Sequence, residues 1–383
     1  MSLNVPNPMN AMIPRTIFSA EHEDFRRTAR RFFEEELAPH REKWEEQQHI
    51  DRNLWNKAGE LGLLCPTMPE EYGGSGVDRL YSVIMMEEQA RAGDSASGFS
   101  LHSDIVANYL NNFASEELKQ KWLPKMASGE AVGSIAMTEP GTGSDLQAVR
   151  TSAIADGDDY IVNGSKIFIT NGYLCDISVV VVKTGDPSKG AESISLLLIE
   201  ADRPGFSKGR PLKKVGMKGQ DTCELFFDNV RVLKSNLIGM ENAGFLMIMN
   251  NFESERLGLA CYANTLSQLA FDEALSYAKN RVTFGKPLSK HQVIRHKLAD
   301  MATRLEASRE FTYRVGAKMQ AGIPALKEVS MAKNFATDVA DYVTHEAVQI
   351  FGGAGYNITG LPPAWTDAAV LRGELQKAWT RAK

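Results

Sequence analysis

Along the first third of the chain, apolar positions recur every three or four residues, the period of helices that bury one face. The series opens with "SAEHEDFRRTARRFFEEELAPH", where Ser19 stands at an N-cap position and Pro39 closes the segment. Glu21 and Glu23 fall in its first turn, where the helix dipole favours acids. Further helical stretches are expected near 52–64, 79–92, 100–113 and 115–128, divided by turns such as "EEYGGSG". Between about Gly133 and Val232 the period changes to short β-branched and aromatic runs: "GSIAMTE", "VRTSAIA", "DYIVNG", "SKIFIT", "ISVVVV", "SISLLLIEA" and "CELFFDNVRV". Turn chemistry joins these runs at Asp156-Gly157-Asp158, Asn163-Gly164 and Asn171-Gly172, with Asn163-Gly164 read as a hairpin turn. No helix intervenes, so an antiparallel sheet or small barrel is expected rather than a Rossmann sheet. From Asn242 the helical period returns, in long stretches near 243–280, 288–320 and 324–350. The predicted organisation is α+β in three parts: an N-terminal helical domain over 1–130, a β domain over 131–236 and a C-terminal helical bundle over 237–383.

Composition narrows the class. A chain of 383 residues, 43% hydrophobic and 24% charged, is long enough for two or three packed units around a substantial core. A formal net charge of -5 offers no broad basic surface for nucleic acid or an anionic membrane, so a small-molecule enzyme fits better. The four cysteines, Cys65, Cys175, Cys223 and Cys261, form neither CxxC pairs nor a dense framework, which points to a reducing compartment. No uninterrupted apolar run approaches the roughly 18 residues of a membrane span, and the N-terminus lacks a signal-peptide pattern. The reading is a soluble intracellular protein, with Met1-Ser2-Leu3 taken as an expression scar. The histidines include no HExxH, and "GGSGV" fails as a nucleophile elbow, so metal and serine chemistry are set aside.

Four segments carry candidate chemistry. "TEPGTGSD", Thr138 to Asp145, follows a strand with the glycines and hydroxyls that cradle a phosphate or a flat heteroaromatic ring. Taken alone, a tight loop between strands explains it better. "KIFITNG" alternates so that Phe168 and Thr170 share a strand face, an aromatic surface beside a hydroxyl, although core packing explains the same pattern. "NRVTFGKPLSKHQ" breaks a long helix at Gly285 and Pro287 and presents Arg281, Thr283, His291 and Gln292 around a turn, or is a plain helix connection. "QIFGGAGY" ends a helix with glycines that let backbone approach a ligand, and C-capping accounts for at least one of them.

A fifth segment, "FESERLGLA", places two glutamates and an arginine in an apolar helix. Reading its apolar side gives Phe245, Ile248, Phe252, Glu255, Leu259, Ala263, Leu266 and Ala270, so Glu255 takes a stripe position and Glu253 does not. Burial would raise such a carboxyl by up to roughly 3–5 units, suiting it as a base toward a weak carbon acid. A buried structural pair of Glu255 with Arg256 is an equal alternative at this point.

In order and at these separations, "MTEPGTGSD", "FITNG", "RVTFGKPLSKHQ" and "QIFGGAGY" resemble the flavin-site signatures of the acyl-CoA dehydrogenase family, from about residue 19 to 356. The resemblance implies an N-terminal helical domain, a middle antiparallel β-barrel or sheet domain and a C-terminal four-helix bundle, assembled as a homotetramer, a dimer of dimers. It implies FAD, with Met137, Thr138, Gly143 and Ser144 near the ring and Phe168 and Thr170 on its other side. Arg281, Thr283, Phe284, Gln292 and the loop of Gln349, Gly352 and Gly353 would hold the FAD of a neighbouring subunit. Ser144, Glu253 and Arg256 would touch the acyl-CoA.

In family chemistry a glutamate takes the proton α to the thioester carbonyl while the β hydrogen leaves as hydride, giving a trans-2-enoyl-CoA. Most members keep that glutamate in a C-terminal "YEGT"-like motif; the long-chain and isovaleryl branches keep it on a helix before an arginine. "FESERLGLA" matches the second pattern and makes Glu255 the catalytic base, and "EEQARAGDSASGFSLHSDIVANYL" also resembles the long-chain branch. The implied electron acceptor is electron-transfer flavoprotein, in the bacterial cytoplasm or a mitochondrial matrix. The alternatives are an acyl-CoA oxidase using O₂ and a flavin-free oligomeric binding protein. The second alternative arises because "NITGLPPAWTDAAVLRGELQKAWTRAK" departs from the family pattern after Tyr356, with Gln376 about where the commoner branch keeps its glutamate. The tail is expected to be divergent, truncated or frame-shifted.

Overall fold

The computed structural model describes residue 13, residues 15–94 and residues 96–356. The expectations for Met1-Ser2-Leu3 and for the tail after Tyr356, Gln376 included, lie outside the described residues. In chain order come α1 (Ala20–Phe32), α2 (Arg41–Gln47), α3 (Asn53–Glu60), α4 (Arg79–Arg91), α5 (Ala107–Phe113) and α6 (Glu116–Ala127). The strands β1 (Gly133–Ala136), β2 (Ser152–Asp156), β3 (Asp159–Thr170), β4 (Ile177–Lys183), β5 (Ile194–Glu200), β6 (Phe206–Lys208), β7 (Thr222–Leu233) and β8 (Leu237–Ile238) follow. Then come α7 (Gly244–Asn280), β9 (Val282–Thr283), β10 (Lys286–Pro287), α8 (Gln292–Gln320), α9 (Leu326–Phe351) and the short α10 (Gly353–Tyr356). Ser19 caps α1 as expected, its Oγ accepting from His22 N at 3.4 Å. Beyond Phe32 the chain continues as a π turn, Phe33–Leu37, and a 3₁₀ turn, Ala38–His40, and α2 follows at once, so Pro39 marks a change of helix type and not the end of helical chain that its position predicted. A second π segment, Leu101–Val106, leads into α5.

The described chain packs as two compact units. One takes Glu35–Ser82 and the described residues from 96 to Glu255. Its sheet runs β6-β7-β3-β2-β4-β5-β8, with β1 beside β4. The pairings are antiparallel apart from β1 with β4 and the single register Ser152↔Lys183. β5 is buried along its whole length and β4 up to Lys183, because both faces of these strands are covered, which explains their unbroken apolar runs. Val179, Val181, Leu196 and Leu198 face a core shared with Tyr109, Leu110, Leu123 and Ile248. Their neighbours Val180, Val182, Leu197 and Ile199 face the opposite core, with Val162, Leu225 and Phe227.

Asn163-Gly164 is not a hairpin turn. β3 runs straight through it as one strand, with a register shift against β7 between Val162 and Gly164. Gly164 has φ +151°, and a Cβ there would lie 2.5 Å from Thr151 Oγ1, so the glycine makes a bulge with a close backbone approach. The hairpin falls one turn earlier, where Asp156 pairs with Asp159 around Gly157.

The second unit takes the described residues up to Glu34, Val83–Asp94 and the described residues from Arg256 onward. α7, α8 and α9 pack here through Ala270, Ala274, Met301, Leu305, Val339 and Val343. Between α1 and α4 lies a buried ion cluster in which Glu87 accepts from Arg26 at 2.7 Å and from Arg15 at 3.0 Å. Burial alone would raise the Glu87 carboxyl; the two guanidiniums and the Tyr313 hydroxyl overcome it and hold it down to about 2.

Candidate active site

The glycine loop after β1 is clamped at its base and open at its tip. Glu139 N donates to Thr142 O at 2.9 Å and Thr142 N returns to Glu139 O at 3.0 Å, closing the turn. The buried Glu139 carboxylate accepts from Arg150 N at 2.7 Å, Thr151 N at 2.9 Å, Thr151 Oγ1 at 2.6 Å and Lys166 Nζ at 2.9 Å. Lys166 Nζ also donates to Met137 O at 3.1 Å, and Ile167 N donates to Thr138 O at 2.9 Å. Strand β3 thereby fixes Met137 and Thr138 while Gly141, Gly143 and Ser144 stay exposed, with nothing within 4 Å of a Cβ placed on either glycine. Burial pushes the Lys166 ammonium down to about 8 against the opposing pull of Glu139. Burial would raise Glu139, but Lys166 and the Thr151 bonds outweigh it, and the carboxyl stays below its ordinary value. This hub escaped the sequence reading; its signal was a charge inside each of two apolar runs, "IAMTE" and "SKIFIT".

Phe168 and Thr170 come to the same strand end, though not by simple alternation. The register passes from Lys166↔Leu225 to Ile169↔Cys223, so Ile167 and Phe168 form a second bulge. Phe168 sits at φ +62° with 63% of its surface exposed, and Thr170 is half-buried opposite Thr222. The next residue, Asn171, was also missed. Its amide donates to Gly98 O at 3.0 Å and Gly133 O at 3.2 Å and accepts from Gln220 Nε2 at 3.2 Å, tying the end of β3 to the start of β1. An exposed ring, an open glycine loop and the hydroxyls of Thr138, Ser144 and Thr170 are the donor set and shape that a flat heteroaromatic cofactor such as flavin requires.

Glu255 is half-buried on α7, with Oε1 shielded from solvent. One turn earlier, Asn251 Nδ2 donates to Ile105 O at 3.4 Å, and beside Glu255 the Ser254 hydroxyl accepts from Arg79 Nη1 at 2.5 Å. Phe252 packs on the same core as Met137, so the proposed base and the glycine loop grow from one hydrophobic foundation. Glu253 and Arg256 are half-buried as well. The stripe does not continue to Leu259, which is 53% exposed; the buried side shifts to Leu257, Ala260 and Cys261. A seven-residue spacing such as Phe252 to Leu259 drifts by about 20° on a straight helix, and the core contact moves with it.

In the other unit, α7 ends at Asn280, before Gly285 and Pro287, and β9 and β10 form a hairpin turning at Phe284 and Gly285, with φ +50° and +74°. Thr283 Oγ1 lies 3.1 Å from His291 Nε2; Arg281 and Gln292 are exposed, and Phe284 is 97% exposed. Tyr277 stacks on Phe351 at 4.4 Å between ring centroids, which brings the end of α7 to the end of α9. Gln349, Gly352 and Gly353 are exposed there, with open space around both glycines. Among the described residues no helix is long and apolar enough to cross a membrane.

Helical segments before and after a mixed sheet in chain order, a clamped glycine loop and a half-buried carboxylate on the first helix beyond the sheet define an α+β enzyme fold. Family profiles described as acyl-CoA dehydrogenase N-terminal, middle and C-terminal domain match residues 19–130, 134–230 and 242–382. The chain is 45% identical over 343 residues to the mitochondrial long-chain specific acyl-CoA dehydrogenase of Sus scrofa, covering 89% of this chain and 80% of that one. It superposes on a crystal structure of acyl-CoA dehydrogenase from Geobacillus kaustophilus with TM-score 0.90 and 44% identity, over 93% and 94% of the two chains. A glutaryl-CoA dehydrogenase from Mycobacterium smegmatis, solved in complex with FADH2, superposes with TM-score 0.83 and 28% identity, over 93% and 90%. The chain belongs to the acyl-CoA dehydrogenase family, flavoprotein oxidoreductases of fatty acid β-oxidation that are typically tetramers. The N-terminal helical, middle sheet and C-terminal helical arrangement expected from the sequence is therefore the family's own.

Proposed function

We propose that this enzyme converts a medium-to-long straight-chain or branched acyl-CoA thioester to the trans-2-enoyl-CoA, with Glu255 as base, and passes the electrons to electron-transfer flavoprotein. The observation that carries this reading is the half-buried Glu255, its Oε1 shielded from solvent, on a helix whose Phe252 packs on the same core as Met137 of the clamped loop. When bound, FAD would supply the acceptor for the β hydride. Met137, Thr138, Gly143, Ser144, Phe168 and Thr170 would hold its ring. Arg281, Thr283, Phe284, Gln292, Gln349, Gly352 and Gly353 would hold the FAD of a second copy in a homotetramer.

Ser144, Glu253 and Arg256 would contact the acyl-CoA and fix its thioester. The α proton then passes to a Glu255 carboxylate oxygen. Anaerobic mixing of the holoenzyme with acyl-CoAs of several lengths, followed by flavin bleaching, tests the assignment. Glu255→Gln should slow bleaching on the order of 10²–10⁴-fold. Bleaching at the wild-type rate would reject Glu255 as the base. Peroxide released at the turnover rate with no other acceptor present would replace the flavoprotein partner with O₂.

A further inference from the structure

The start of α7 lies against the helical segment Leu101–Val106 and α5, where Asn251 donates to Ile105 O at 3.4 Å. Tyr109 on α5 interacts with the side chain of that Asn251 and feels the charge of Glu255, which follows Asn251 by four residues and so lies on the same face of α7. Tyr109 is fully buried in the core with Leu110 and Ile248. Its Oη is closed off from solvent with the Asn251 amide beside it, and its O–H has no acceptor within hydrogen-bond distance. Burial first, and the Glu255 charge second, push this phenol above its ordinary value, so it remains a protonated donor at every working pH. A buried hydroxyl with no acceptor is costly, and it persists where another state of the site uses it.

We infer that Tyr109 is a positioning residue for the base: once acyl-CoA excludes water from the site, its O–H donates to the Glu255 carboxylate and keeps it ionised and aimed. The inference rests on the proposed role of Glu255. Charged groups on the neighbouring elements are Arg79 on α4, which donates to Ser254, the buried Asp104, which accepts from Ser82 at 2.5 Å, and Glu253 and Arg256, which flank Glu255 in the α7 sequence. Tyr109 differs from all of them in being a neutral, fully buried donor with no acceptor of its own. The transferred proton ends on Glu255; Tyr109 keeps its own.

Tyr109→Phe in the holoenzyme deletes only the O–H and keeps the ring in the core. A carboxylate that loses a donor titrates higher, so the acid limb of the pH profile for flavin reduction should move up by about one unit. The rate on that limb would fall about tenfold while the alkaline plateau holds, because a one-unit shift is a tenfold change in the ionised fraction. A second readout needs no turnover: infrared pH titration of the Glu255 carboxyl band in a complex with a non-reducible acyl-CoA analogue, the band being identified by its loss in Glu255→Gln. Its midpoint should rise by the same shift, with the urea midpoint of the variant unchanged or higher. Superposable profiles and titrations in wild type and Tyr109→Phe would overturn the inference. So would a rate lowered equally at every pH, the mark of a merely structural ring. Full bleaching by Glu255→Gln would instead remove the base assignment itself, and an inert Glu255→Gln beside an unshifted Tyr109→Phe removes only the role of Tyr109.

Discussion

Lys166 holds an ammonium where water does not reach, and its partners set the shape of the glycine loop. Removing one member of a buried ion pair leaves the other uncompensated, at about 3–5 kcal/mol. Lys166→Met should therefore lower stability on that scale near pH 7 and weaken FAD retention, while Lys166→Met combined with Glu139→Gln should recover part of the stability. The pH dependence has a definite sign. The folded-state value, about 8, lies below the ordinary 10.5, so between these pH values the unfolded chain binds more protons. Wild-type stability relative to Lys166→Met should accordingly rise as pH is raised from 8 to 10, and urea midpoints of the two proteins across that range check it. The sequence shows Glu255 on an apolar period because the clue is local to one helix. The pairing of Glu139 with Lys166 joins residues 27 positions apart, and only the sheet brings them together.

Bulges, at the scale of the strand, decide where the loop sits. Asn-Gly marks a type I′ hairpin in most sequence contexts, but here the strand continues, because β7 pairs with β3 on both sides of Gly164. The dipeptide is identical in the two cases, so local chemistry could not separate them. Short elements such as α2 and β6 were unreadable for a related reason: seven and three residues carry too little period. Gly164→Ala tests the bulge. Its Cβ would lie 2.5 Å from Thr151 Oγ1 and 2.7 Å from Thr151 Cα, pressing on a residue that donates twice to Glu139. Overpacking of this kind costs about 1–3 kcal/mol. The variant should unfold at lower urea and release FAD more readily, and a Gly164→Ala protein with unchanged urea midpoint and FAD affinity would show that the approach to Thr151 is not restrictive.

The order of motifs made the whole molecule legible at the level of family, since no single segment identified a cofactor but the series did. The proposed assembly belongs to the same scale. Phe284 is 97% exposed at the tip of the β9–β10 hairpin, held outward by positive φ at both turn residues. Val282 and Val293 are also well exposed. An aromatic ring fixed in water gains nothing for a lone chain, whereas burial against a second copy contributes about 1.5–3 kcal/mol per ring. In a closed symmetric oligomer that gain repeats at every equivalent interface. On the tetramer proposed above, Phe284→Ser should lower the sedimentation coefficient toward that of smaller species at micromolar protein, and FAD should dissociate from those species faster than from wild type. Adding FAD in excess should shift the variant back toward tetramer, because a ligand held by two copies links its own binding to their association. A variant that sediments as wild type and keeps its FAD through gel filtration would place the hairpin outside both the interface and the cofactor site.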